Sequence, residues 1–162
     1  MSPAPALSAT DSANSTPAGP SLDPSAVACT HSIGGASPDP DGDGYRLVLG
    51  AVVLPSRVLE VHDAGEPGWH FAKHGLVLRA GTAVELVVAP EAADDARIGW
   101  GSPGPEGTTI RVPACPQAAG WLAFAGGYTV RTPMCVPLLV RANGREERAT
   151  VSVGKPCPAD RH

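Results

Sequence analysis

Apolar positions along this chain fall in short runs, each bounded by Gly, Pro or Asp, and several of the runs alternate apolar with polar residues. Such runs occupy residues 45–54, 57–61, 76–80, 83–89, 97–100, 108–112, 121–125, 128–131, 136–141 and 148–153. In Thr109-Ile110-Arg111-Val112, Ile110 and Val112 fall on one face of an extended strand. Only residues 91–96 suit a helical turn. Short strands separated by turn residues predict an all-β domain. The expected architecture is a β-sandwich, Ig-like in build, of roughly seven to nine short strands.

The sharpest local signal is Arg141-Ala142-Asn143-Gly144-Arg145. Asn-Gly suits a two-residue type I′ turn, because both residues tolerate positive φ. That loop sets Leu138 opposite Ala149 and Val136 opposite Val151 on one face. It also sets Arg141 opposite Glu146 on the other. Pro137 lacks an N–H, so its strand is expected to be an edge or to carry a bulge. A second hairpin is expected to turn at Gly126-Gly127, joining 121–125 to 128–131.

Composition agrees with strands over helices. The chain of 162 residues holds 19 Gly and 18 Pro, a density of breakers that long helices do not tolerate. Hydrophobic residues make up 43%, enough for one core, whereas residues 1–28 are rich in Ala, Pro, Ser and Thr. Such a segment buries too little apolar surface to offset its ordering entropy. The expected division is therefore a disordered tail or linker over 1–28 and a single β domain over 29–162. Net charge is -4 and no Lys/Arg cluster occurs, which excludes a nucleic-acid or anionic-membrane footprint. No apolar run is long enough for a membrane-spanning helix.

Four cysteines, Cys29, Cys115, Cys135 and Cys157, stand without any Cys-x-x-Cys pair. Long spacings argue against zinc and for disulfides, hence for an oxidising, extracellular or cell-envelope location. The segment ending at Cys29 resembles a lipobox, but Asp23 and Pro24 stand where an apolar stretch belongs. No basic n-region with an apolar h-region opens the chain, and the expectation is a leader removed or lying upstream. A hairpin at Gly126-Gly127 would bring Cys115 to Cys135 at its base. The expected pairs are then Cys115–Cys135 and Cys29–Cys157, with the other two connectivities of four cysteines left open.

Candidate chemistry is sparse. His62, His70 and His74 are the weak metal candidates, but strand residues four apart stand ~13 Å apart, too far for two imidazoles to share an ion. Ordinary surface histidines are the preferred reading. Asp39-Pro40-Asp41-Gly42-Asp43-Gly44 opens like a calcium loop but has Gly50 where the bidentate Glu belongs. Trp100-Gly101-Ser102-Pro103-Gly104 is not a nucleophile elbow, since the first Gly is missing and Pro follows the Ser. No phosphate-binding loop appears and no cofactor is called for. Aromatics are few (4%) and expected mainly in the core. Trp69, His70, His74, Trp100 and Tyr128 are kept as candidate binding residues because they sit in or beside loops.

The stretches YRLVLGAVVLPS, FAKHGLVLRAGTAVELVV, RIGWGSPGP, IRVPAC, GWLAFAGGYTVRTPMCVPLLVRANGR and VSVGKPC resemble a family of small secreted hypothetical proteins of high-GC actinobacteria. The likeness covers about residues 45–157 and is most specific over 120–135. It implies an envelope or extracellular location and carries no activity, ligand or catalytic residue with it. The functional expectation is a non-catalytic module binding a protein or glycan of the cell envelope, or a structural one. The alternatives are an extracellular metal-binding protein using His62, His70 and His74, and a hydrolase with a dispersed site.

Overall fold

The computed structural model describes residues 23–33, 44–101, 104–116 and 120–158. The fold is all-β and sandwich-like, with thirteen strands in three sheets among the described residues. The first sheet holds β1 (Tyr45–Val48), β2 (Val52–Pro55), β5 (Leu76–Arg79) and β10 (Trp121–Phe124) in that order. The second runs β3 (His62–Asp63), β4 (His70–Lys73), β11 (Gly126–Val130), β7 (Ala96–Trp100), β8 (Glu106–Gly107). The third runs β13 (Arg145–Val153), β12 (Met134–Ala142), β6 (Val84–Val88), β9 (Thr109–Val112). All named strand pairs are antiparallel. Residues 91–96 give only a 3-10 turn, Pro90–Ala92.

Burial alternates along β6, β7 and the second half of β13, as expected of strands with one face on a core. That core draws on all three sheets: Leu78 and Phe124 from the first, Ile98 and Val130 from the second, Leu86, Ile110, Leu138 and Val151 from the third. The hairpin β12–β13 has the expected register, with Leu138 opposite Ala149, Val136 opposite Val151 and Arg141 opposite Glu146. Asn143 and Gly144 take φ of 55° and 73°, as a type I′ turn requires. Pro137, however, lies on an inner strand, between β13 and β6. The proline is tolerated because β6 ends beside it. The Ala89 N–H donates to the Pro137 carbonyl, while the Ala89 carbonyl accepts from Ala92 instead of from residue 137.

The second expected hairpin does not form. Residues 70–79 and 121–130 instead make one long antiparallel ribbon that keeps a single register, from His70–Val130 to Arg79–Trp121. It bends at His74-Gly75 and Ala125-Gly126, so that β4 and β11 lie in the second sheet while β5 and β10 lie in the first. Gly126-Gly127 serves close approach rather than a turn. A Cβ on Gly126 would stand 2.0 Å from the Gly99 carbonyl oxygen, and one on Gly127 would stand 2.1 Å from that of Ala72. The run 45–54 is likewise not one strand. It folds back at Leu49-Gly50, where both residues take positive φ, to pair Val48 with Val52. Within 57–61 only Leu59 forms a bridge, to Val153.

The disulfides are Cys29–Cys115 and Cys135–Cys157, not the expected pairs. The reason is topological. Without a hairpin at Gly126-Gly127 nothing brings Cys115 to Cys135. Instead, the segment at Ala26 joins the free edge of β9 in parallel, opposite Arg111. Val27 donates its N–H to the Arg111 carbonyl at 2.8 Å, and Arg111 donates its own to Ser25. This register carries Cys29 alongside Cys115 (Cα–Cα 5.6 Å). At the other edge, Cys135 faces Ser152 across β12–β13, and the chain returns after Gly154 so that the Cys157 N–H donates to Ser152 Oγ. Residues 23–28, placed by the sequence in the tail, therefore pack on the domain, with Val27 in the core.

Two outcomes are expected. Peptide mapping of the oxidised protein will link Cys29 to Cys115 and Cys135 to Cys157. Removing the first bridge, which closes 86 residues, will cost roughly 1 kcal/mol more in denaturant titrations than removing the second, which closes 22. Gly126→Ala will destabilise by roughly 3 kcal/mol through overpacking at the bend. Gly107→Ala, with nothing within 4 Å of its Cβ, will be close to neutral in the same assay.

Candidate functional site: a groove across the end of the third sheet

On its outer face the third sheet carries a row of alternating charges. Strand register sets Glu146 opposite Arg141, Arg141 opposite Glu85, and Glu85 opposite Arg111. The contacts follow that order: Arg141 Nε to Glu146 Oε1 at 2.7 Å, Arg141 Nη1 to Glu85 Oε1 at 2.8 Å, and Arg111 Nε to Glu85 Oε2 at 2.9 Å. Arg111 Nη1 extends the row to Asp23 Oδ2 at 3.1 Å and to Ser25 Oγ. Hydrogen bonds from the Ser25 hydroxyl and amide, then the Arg111 guanidinium, hold the Asp23 carboxyl below its usual range. Hydrogen bonds to Glu146 and Glu85 raise Arg141 above its usual value.

Two positions further along the same strand faces come Asn143, Ala83, Pro113 and Ala28. They follow directly on the strand ends and line the surface beside the charged row. They are small, so the surface drops there into an open groove of about 1030 Å³. Ala26 and Ala28 of the N-terminal segment wall one end, and the Asn143-Gly144 turn walls the other. Among the described residues, no aromatic side chain lines it. The groove is thus a mainly apolar trough with a wall of guanidiniums and carboxylates, carried on a sheet with a disulfide near each edge. The Arg141–Glu146 end was readable from the hairpin register. Glu85 and Arg111 sit at outward positions of two alternating runs, but only the sheet order shows that they meet.

The sequence-derived candidates lie elsewhere. Trp100 and Tyr128 are core residues, each 1% exposed, and their rings meet edge to face at 5.4 Å. The bend buries both, because β7 and β11 pair there. Burial pushes the Tyr128 phenol far above its usual pKa. Trp69 is half-buried, with the guanidiniums of Arg97 and Arg131 at 4.1 and 4.4 Å from its ring centroid and Arg97 held by Glu66. Its ring anchors the β3–β4 loop to the second sheet. His62 is exposed on β3, and His70 pairs with Asp63. His74 lies at the bend. These histidines do not converge: among the described residues no group of three or more His, Cys, Asp or Glu could hold a metal ion. The calcium-like stretch falls outside the described residues except for Gly44. All four cysteines are in disulfides.

His74 serves the bend itself. Its N–H donates to the Gly126 carbonyl, its own carbonyl accepts the Trp100 indole N–H at 2.9 Å, and its ring packs against Tyr45. Burial, with a further push from the Arg57 charge, lowers the imidazole below its ordinary 6.5. The unfolded chain therefore takes up this proton before the folded one. Stability from this group is intact above about pH 6.5 and falls as pH drops below it, toward the lower folded value. Denaturant titrations at about pH 7.5 and pH 5 will show the loss, and His74→Gln will shrink the difference between the two. An unchanged difference would sink this assignment.

No protein-family model matches this chain, and neither does any curated protein or solved structure.

Proposed function

We propose that this protein is an exported, non-catalytic binding module that holds its ligand in the groove between the N-terminal segment and the Asn143-Gly144 turn. The groove itself carries the reading: about 1030 Å³ of mainly apolar trough beside an ordered row of charges. Pockets of about this volume, apolar with a few placed polar groups, are the usual form of ligand sites. Two disulfides favour an oxidising compartment, hence export to the envelope or beyond. The groove's carboxylates are already paired with guanidiniums, its other polar side chains are Thr30 and Asn143, and no His among the described residues lines it, which supports binding over acid–base chemistry. The reading keeps binding as the function but moves it away from the loops around Trp69 and Trp100, whose rings are covered or buried.

The test is to map where ligands go. Amide spectra of isotopically labelled protein, titrated with short aliphatic, peptide and saccharide fragments, will show shifts clustered at residues 26–30, 83–85, 111–113 and 141–144. Shifts centred on Trp69, or scattered without a cluster, would refute the assignment.

A further inference from the structure

Resting on that reading, we infer that the groove takes a neutral acyl compound: an aliphatic chain joined to an uncharged carbonyl acceptor, as in an acyl ester. Four observations converge on this class.

The trough is lined by small aliphatic groups such as Ala26, Ala28, Ala83 and Pro113, with no aromatic ring on which a sugar or aryl group could stack. Across its floor the backbone is already paired. Along the row from Ala142 through Val84 and Val112 to Val27, β12, β6, β9 and the N-terminal segment pair with one another. The unused polar capacity includes fixed donors. Both Glu85 carboxylate oxygens are taken by arginines, whereas each arginine bonds through Nε and Nη1. Nη2 of Arg111 and of Arg141 makes no hydrogen bond to a described residue, and the Asn143 amide adds donors nearby. A ligand oxygen would therefore be received as an acceptor.

The charge count then selects among acceptors. The row holds one more carboxylate than guanidiniums, Asp23, Glu85 and Glu146 against Arg111 and Arg141, and the whole chain carries -4. A full anion meets this excess, and a cation finds the central carboxylate saturated. A neutral carbonyl meets neither obstacle. The span from β12 to the N-terminal segment crosses three inter-strand steps, about 14 Å, room for a medium-length acyl chain lying across the strands.

The test uses three submicellar probes with the same tail: monodecanoylglycerol, decanoate and decyltrimethylammonium. Calorimetric titration is expected to show the glycerol ester binding at least about tenfold more tightly than either charged probe. Ala83→Trp, at an exposed position ahead of β6, is expected to abolish that binding with an unchanged melting temperature. If that variant does not fold, Ala28→Trp fills the trough from the other side. Equal or tighter binding of either charged probe would overturn the ligand class while leaving the groove as a site. Ester binding that survives both tryptophan variants would overturn the site, and no binding of any probe would overturn the acyl assignment.

Discussion

Between Lys73 and Leu76 a paired ribbon has to turn from one sheet into the next without leaving its backbone groups unpaired. The bend solves this with three hydrogen bonds. His74 donates to Gly126, the Trp100 indole donates to His74, and Gly101 donates to Ala125. Much else follows from them. Trp100 must point inward to reach the His74 carbonyl, which fixes β7 against β11 and sets the Trp100–Tyr128 pair in the core. With β7 fixed, the second sheet packs over β6 and β9 of the third. Buried backbone polar groups are costly to leave unmade, so the geometry at this corner is strongly determined.

The third sheet, which carries the groove, would otherwise end in open edges. Each edge is closed by its own device. On the β9 side the segment at Ser25–Val27 adds in parallel, and Cys29–Cys115 holds it there. On the β13 side Leu59 bridges to Ser152 and Gly154, Arg46 Nη2 donates to the Thr150 carbonyl, and Cys135–Cys157 ties the returning chain. The remaining half of β13 reads Arg145-Glu146-Glu147-Arg148, charges that discourage a foreign strand from pairing. Both disulfides thus brace one sheet, the one that carries the groove.

How much of this was legible depended on whether the information was local. The β12–β13 hairpin could be read to the residue, because a two-residue turn and a period-two pattern jointly fix one register. All-β class and the presence of two disulfides were likewise readable from composition and spacing. What failed was long-range. Gly126-Gly127 looks the same in sequence whether it turns a hairpin or lets strands touch, and only Gly99 and Ala72, distant in the chain, decide between them. The wrong hairpin then propagated into the wrong cysteine pairing, and Gly-rich neighbours kept Trp100 and Tyr128 as binding candidates although both are buried. Leu49 hid a turn because a bulky residue seldom takes positive φ. Val27 hid in a tail-like composition because a single parallel bridge leaves no periodicity to detect.

The charged row beside the groove is poorly explained by stability alone. Its arginines are about half exposed, 51% and 45% at the side chain, and exposed ion pairs contribute little after solvent screening. Shared carboxylates do something else. Glu85 holds two guanidiniums at once, and Asp23 and Glu146 hold their far sides, so neither arginine is free to sample its many rotamers. A donor whose position is already fixed loses less entropy when a ligand arrives. With one carboxylate more than guanidiniums the row is net acidic, yet each guanidinium is held in a fixed direction. Under the proposed function, a trough of small side chains beside such a row would discriminate by the placing of an acceptor oxygen along an apolar chain, a distinction that neither a flat apolar patch nor an unpaired arginine could make.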